Sequence, residues 1–289
     1  NSSDASVLVG TMKALQFNDT IGIKNLIVDA RACHDSLLTK INWDNHTAKL
    51  NDANIMALTH FENSKAVNIN FFSSSFHLND SLWVATAVNF VRLDSSQITF
   101  HNLGFQCGRS SIDFSGKVSE QPDDELKVSL KDFDFAYVNY FSEPFGVTLA
   151  GSISSETVLL DLYHVPIFTS STEFKSFYFN KQKLGDGSLT ADWQKNKQAV
   201  FTSGHFSRGI NDALTGKPIN NIAFNGYYYP KNIENSIDFN ASLQNIPLDI
   251  FTPILKDYCS LINGKFGGDL HILGTPSKPL LNGKINIFP

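Results

Sequence analysis

The chain partly repeats itself, and that constrains its fold more than any other feature. Residues Leu126–Phe135 and Phe239–Leu248 carry the same pattern at an offset of 113 residues, in register without gaps as far as Gly151 and Gly264. Each copy starts as an alternating strand, passes through a short apolar segment with helical spacing, and restarts as a strand after the glycine. A second echo relates Lys24–Trp43 to Lys175–Trp193 with one gap, matching Asp35 to Asp186. A repeated supersecondary unit buries its apolar face against its neighbours and builds an elongated array. That favours a scaffold, channel or binding surface over a compact catalytic pocket.

Alternation of period two recurs along the chain. Val67, Ile69 and Phe71 alternate with asparagines, as do Leu126, Val128 and Leu130 with Lys and Ser, and Ile237, Phe239, Ala241 and Leu243 with polar residues. Leu270 and Ile272 continue the pattern. Such strands have one apolar and one wet face, as in antiparallel sheets. With 24 Phe and many Asn, Ser and Gly, the composition is that of a β protein. Turn signals fall at Asp186-Gly187, Asn225-Gly226, Asn263-Gly264 and Asn282-Gly283, the last reading as a hairpin and Asn225-Gly226 as a bulge within a strand. Two short amphipathic helices are expected. The first spans Phe133–Phe141, with Phe133, Tyr137 and Phe141 on one face; the second carries Ile250, Ile254 and Tyr258, with Pro247 in its first turn and Pro253 as a possible kink.

The predicted class is all-β, mainly antiparallel, an elongated curled sheet with those two helices. Its segments are 1–125, a second repeat-like segment 126–237, and the start of a further repeat at 238–289. The net charge of −5 with no long basic run argues against nucleic acid as a partner. No segment approaches the roughly 18 apolar residues of a membrane-spanning helix, and the first residues lack a secretory signal. The chain is therefore expected to be cut from a longer protein whose anchor lies elsewhere.

Chemical motifs are sparse. Cys33, Cys107 and Cys259 have no metal spacing and read as buried thiols, a disulfide between two of them staying open. No two of the eight histidines sit at i, i+2 or i, i+4, so no metal or cofactor is expected. Neither a nucleophile elbow nor a phosphate loop is present. Gly204–Gly209 reads as a turn, and the acidic run Gln121–Glu125 as a solvated loop rather than a cation site. Tyr227-Tyr228-Tyr229 reads as packing, with a stacking platform as the alternative. Catalytic residues: none.

Residues 264–287 resemble the repeating signature of TamB-like proteins within the AsmA-like group. Gly264-x-Phe266-x-Gly268 precedes an alternating strand, then Gly274-Thr275-x-x-x-Pro279, then Leu281-x-Gly283 and another strand. The strands ending at Trp43 and Trp193 look like the recurring strand pairs of Bacteroidetes TamB homologues. The resemblance implies a non-catalytic periplasmic portion of an inner-membrane-anchored protein, folded as a β-taco with an apolar interior. Its implied partners are phospholipid acyl chains, an outer-membrane insertase-type β-barrel and the rest of the parent chain, in lipid transfer between membranes or outer-membrane protein assembly. Candidate groove positions are Phe100, Phe114, Val128, Leu130, Phe177, Phe179, Phe224, Ile237, Phe239, Ile272 and Ile285. The same residues fit a closed sandwich core equally well by alternation alone. A carbohydrate- or peptide-binding β-sandwich, with exposed Tyr227–Tyr229 or Trp83, stays open as the alternative. A hydrolase would need carboxylates clustered in a cleft.

Overall fold

The computed structural model describes residues 6–16, 22–44, 52–63, 65–143, 146–164, 166–211, 218–248 and 264–288. It divides into two compact units, Asn1–Phe133 with Val158–Pro166, and Asp134–Thr157 with Ile167–Pro289. Each is built almost wholly from antiparallel strands, as the alternation dictates.

In the first unit β1 (Ser6–Gln16), β2 (Gly22–Cys33), β3 (Ser36–Asp44) and β4 (Asp52–Asn63) form a meander. β5 (Ala66–Phe71) pairs with β4 and with β8 (Phe90–Asp94), while the hairpin of β6 (Ser75–Leu78) and β7 (Ser81–Ala85) bridges β4 to β9 (Gln97–Cys107). β10 (Ser110–Ser119) and β11 (Leu126–Asp134) extend from β9. Where β9 meets β10 the register shifts between Phe114 and Gly116, so that His101 and Asn102 together oppose Ser115. Asn102 takes a positive φ of 47° there. This bulge resets the alternation. Ile98 and Phe100 before it, and Leu103 and Phe105 after it, all stay on the face shared with Ile112, Phe114, Val128 and Leu130.

The closed part of this unit is an aromatic knot. Trp83 is fully buried, its ring 6.1 Å from Phe76 and 5.7 Å from Phe133, while Phe105 meets Phe76 edge-on at 5.3 Å. Buried Asn89 ties the neighbouring backbone, accepting from Phe71 N–H at 3.0 Å and donating to Phe71 O at 2.9 Å. It stands in for a strand neighbour at a gap in the ladder, as buried polar groups must find partners.

The second unit begins with α1 (Ala136–Ser142) and the first part of β12 (Leu149–Leu160), and continues through β13 (Ile167–Phe179), β14 (Gln182–Gln194), β15 (Ala199–Asn211), β16 (Pro218–Tyr228), β17 (Ile237–Pro247), β18 (Lys265–Thr275) and β19 (Lys278–Phe288). β13 to β19 form an uninterrupted antiparallel meander. Seven residues are too few for an isolated helix. The Asn139 amide fastens α1, donating to Leu149 O at 2.7 Å and accepting from Leu149 N–H at 2.8 Å.

Several sequence expectations are corrected here. Phe133 lies in β11, so the three-ring helix face does not form, and the helix is one short piece rather than Phe133–Phe141. The second expected helix lies outside the described residues. Asp186-Gly187, Asn225-Gly226 and Asn282-Gly283 are strand interiors of β14, β16 and β19, with no bulge at Asn225-Gly226. The β18–β19 turn is Pro276-Ser277, where proline presets the backbone and Thr275 Oγ1 accepts from Lys278 N–H at 3.1 Å. Asn79-Asp80 and Asn180-Lys181 make two further two-residue hairpins, with positive φ at both positions of each pair. Gly204–Gly209 lies within β15 rather than in a turn. Asp35 occupies the β2–β3 turn whereas Asp186 lies inside β14, so the hairpin turns do not coincide across the second echo. Cys33 is exposed rather than buried and Cys107 is half-buried; Cys259 lies outside the described residues.

Candidate functional site: an apolar face backed by a polar face

Directly paired residues of an antiparallel sheet point to the same side, so the register assigns every side chain of the second unit to a face. One row runs Phe174, Gly187, Phe206, Ile222, Leu243, Gly268, Ile285 across seven strands. The next runs Thr172, Leu189, Gly204, Phe224, Ala241, Leu270, Gly283, and a third Ser170, Ala191, Thr202, Gly226, Phe239, Ile272, Leu281. The fourth contains Trp193, Val200, Tyr228, Ile237 and Gly274. This face is apolar.

Glycine and phenylalanine are neighbours across strands in these rows, and space explains why. A Cβ on Gly204 would lie 2.7 Å from Phe224 Cζ, and one on Gly226 would lie 2.8 Å from Phe239 Cδ1. Each ring lies down over the bare backbone of the adjacent strand, a close approach only glycine permits.

At one end the rings pack closely. Phe135, Phe174, Phe177 and Phe206 form a cluster with centroid separations of 5.1–6.3 Å, and Phe206 is 8% exposed. Phe177 therefore belongs to a core. Away from that cluster the face stays partly open. Phe224, Ile237, Phe239 and Ile272 are half-buried, and Ile285 on β19 is 49% exposed. Phe179 ends β13 opposite Gln182, beyond two irregularities in the β13–β14 register. In the first unit Phe100, Phe114, Val128 and Leu130 are half-buried on one common apolar face. The structure thus brings the candidates of each unit onto a shared face, Phe179 excepted.

The opposite face of the second unit is polar. One row reads Ser171, Thr190, Ser203, Asn225, Asn240, His271, Asn282, and another Glu173, Ser188, His205, Ala223, Ser242, Asp269, Lys284. Between Ser203, Asn225, Asn240, His271 and Asn282 of the first row and His205, Ala223, Ser242 and Asp269 of the second lies a trough of about 610 Å³. Phe201 and Tyr227 flank it, 5.1 Å apart, and Lys197 Nζ sits 3.8 Å over the Tyr227 ring. Hydrogen bonding to Tyr227 raises the Lys197 ammonium above its ordinary value. The sequence missed this trough. Its asparagines occupy ordinary polar positions of the alternation, and only the register aligns them.

Other polar groups are engaged structurally. Asp124, in the acidic run, is held below its usual range by Lys117 and Ser119, and Lys117 Nζ is 2.8 Å away. Asp94 is lowered by the N–H and hydroxyl of Ser96, which it accepts at 2.9 and 2.8 Å. Trp83 is buried and offers no stacking surface. The closest approach to a catalytic triad is exposed: Ser36 Oγ lies 3.4 Å and Asp35 Oδ1 3.7 Å from His60 Nδ1. Both oxygens face the same nitrogen, so the imidazole cannot relay a proton from one to the other. Among the described residues no group of three metal-ligating side chains converges.

No family of known proteins, no curated protein and no solved structure matches the chain.

Proposed function

We propose that the chain is a non-catalytic segment of cell-envelope biogenesis machinery whose apolar faces guide phospholipid acyl chains. In this reading each sheet curls about its apolar side as part of a β-taco-like groove in the periplasm, continued by the rest of the parent chain. An outer-membrane insertase-type barrel is the accompanying protein partner. The observation that supports it most is the half-burial of the apolar rows from β15 to β19, where Phe224, Phe239 and Ile272 keep solvent access instead of interlocking into a core. Acyl chains laid on such rows gain about 25 cal/mol per Å² of apolar surface covered and require no specific polar contacts.

The test is native mass spectrometry with lipid extraction on the purified chain beside Phe239→Asp, with circular dichroism to verify folding. Phospholipid carried by the parent and lost from a folded variant is the expected result. A parent without lipid, or a variant that unfolds because Phe239 is core, overturns the reading for this face.

A further inference from the structure

We propose that the polar trough of the second unit, on the side opposite the apolar rows, is a binding site for a neutral oligosaccharide. It does not depend on the lipid reading.

The trough crosses β15 to β19. Its floor is the backbone of Gly204, Phe224, Ala241, Leu270 and Gly283, a row in which the Phe224, Ala241 and Leu270 side chains point to the apolar face. One wall is the in-register row Ser203, Asn225, Asn240, His271, Asn282; the other is His205, Ala223, Ser242, Asp269. A volume of 610 Å³ lies within the roughly 300–1,000 Å³ of small-molecule sites. The register places one hydrogen-bonding side chain at each strand, so the groups repeat about every 4.8 Å. That step is about the length of one pyranose ring, so a chain of sugars laid across the strands meets a fresh donor or acceptor at each unit.

The chemistry narrows the ligand. The Asn225, Asn240 and Asn282 amides have no hydrogen-bond partner among the described residues, leaving both donors and acceptors available. His271 uses Nε2 on Asp238 at 2.8 Å, and His205 uses Nδ1 near Ser188 at 3.2 Å, which leaves one ring nitrogen on each. The walls hold a single carboxylate, Asp269, which stands opposite Lys284 in the β18–β19 register, and their remaining side chains are Ser, Asn, His and Ala. An acyl chain would bury those amides unpaired, at a cost. An extended peptide satisfies its own backbone by adding to a sheet edge rather than lying across a face. A ligand dense in neutral hydroxyls fits the rows.

The experiment is isothermal titration of the purified chain with four probes: maltotetraose, cellotetraose, laminaritetraose and chitotetraose. At least one is expected to bind with a Kd on the order of 0.1–1 mM. Asn225→Ala/Asn240→Ala, exposed positions that preserve the fold, is expected to weaken it about tenfold. Ala223→Trp, which fills the trough, is expected to abolish it, while lipid carried by the chain stays unchanged in both variants. Failure of all four probes to bind overturns the proposal. So does binding unaffected by either variant, or selective binding of a Gly-Ser peptide instead.

Discussion

The N–H of Phe135 donates to the carbonyl of Gly151 at 3.0 Å, and 113 residues later the N–H of Leu248 donates to the carbonyl of Gly264, also at 3.0 Å. The correspondence goes further. Gly151 and Gly264 have φ of 100° and 114°, and Asp132 and Asn245, again offset by 113, have φ of 43° and 53°. A Cβ on Gly151 would meet the carbonyls of Lys175 and Ser176, and one on Gly264 that of Phe288, the equivalent of Lys175. The repeat is thus one of backbone conformation: a strand, a left-handed residue near its end, and a left-handed glycine whose carbonyl accepts from the residue that follows the strand.

The covering of glycine by phenylalanine predicts a contrast between two glycines. At Gly226 an added methyl would lie 2.2 Å from Asp238 O and 2.8 Å from the Phe239 ring, whereas at Gly10 it meets nothing within 4 Å. Gly226→Ala is expected to destabilise the fold by about 1–3 kcal/mol. Gly10→Ala is expected to be neutral or to stabilise by up to about 1 kcal/mol through the unfolded chain. Urea denaturation of the two variants checks this.

This contrast also explains what the sequence revealed and what it hid. Strand faces were legible because period-two alternation is set by local geometry, and ten of the eleven apolar candidates lie on one common face within their unit. The Asx-Gly pairs misled. A side chain at Gly187 or Gly226 would run into the facing strand, its backbone and the Phe206 or Phe239 ring alike, a cross-strand cause that no local window contains. True hairpins at Asn79-Asp80 and Asn180-Lys181 contain no glycine and gave no such signal. The polar trough depends on register, which bulges such as that at His101-Asn102 alter.

Trp83 closes the aromatic knot of the first unit. Trp83→Ala removes a fully buried ring touching Phe76 and Phe133 and is expected to cost about 3–5 kcal/mol. Intrinsic fluorescence and chemical denaturation should show a lower midpoint, with loss of the buried tryptophan signal.

Asp94 gives the first unit a pH dependence of known sign. Its carboxylate accepts from Ser96 N–H and Oγ–H and from Gln97 N–H at 3.0 Å, which lowers its pKa in the folded state. Asp124 is lowered in the same direction by Lys117 and Ser119. A lowered folded-state pKa binds protons more weakly than the unfolded chain, so this stability is present above the ordinary carboxylate value of about 3.9. It is lost as the pH falls through the depressed values. Thermal melts from neutral pH downward should show a steeper decline for the parent than for Asp94→Asn/Asp124→Asn, which starts lower and stays flatter in that window.

The repeated glycine gives the sharpest test of the shared backbone design. At Gly151 a side chain faces two penalties: a left-handed φ of 100°, and carbonyl oxygens of Ser176 and Lys175 at 2.4 and 2.5 Å from the new Cβ. At Gly264 the φ is similar, but the only backbone oxygen that close is Phe288 O at 2.8 Å, on the end of a fully exposed strand that can give way. Left-handed backbone alone costs a non-glycine residue about 1–2 kcal/mol. Gly264→Ala is therefore expected to lose about that much, and Gly151→Ala more, because two backbone carbonyl oxygens crowd the new Cβ there against one at Gly264. Hydrogen exchange should localise the damage: to β18 and β19 for Gly264→Ala, and through β12, β13 and the Asn139–Leu149 clasp for Gly151→Ala. Equal losses at the two sites would mean that the left-handed backbone alone sets the cost and that the carbonyl crowding at Gly151 adds nothing.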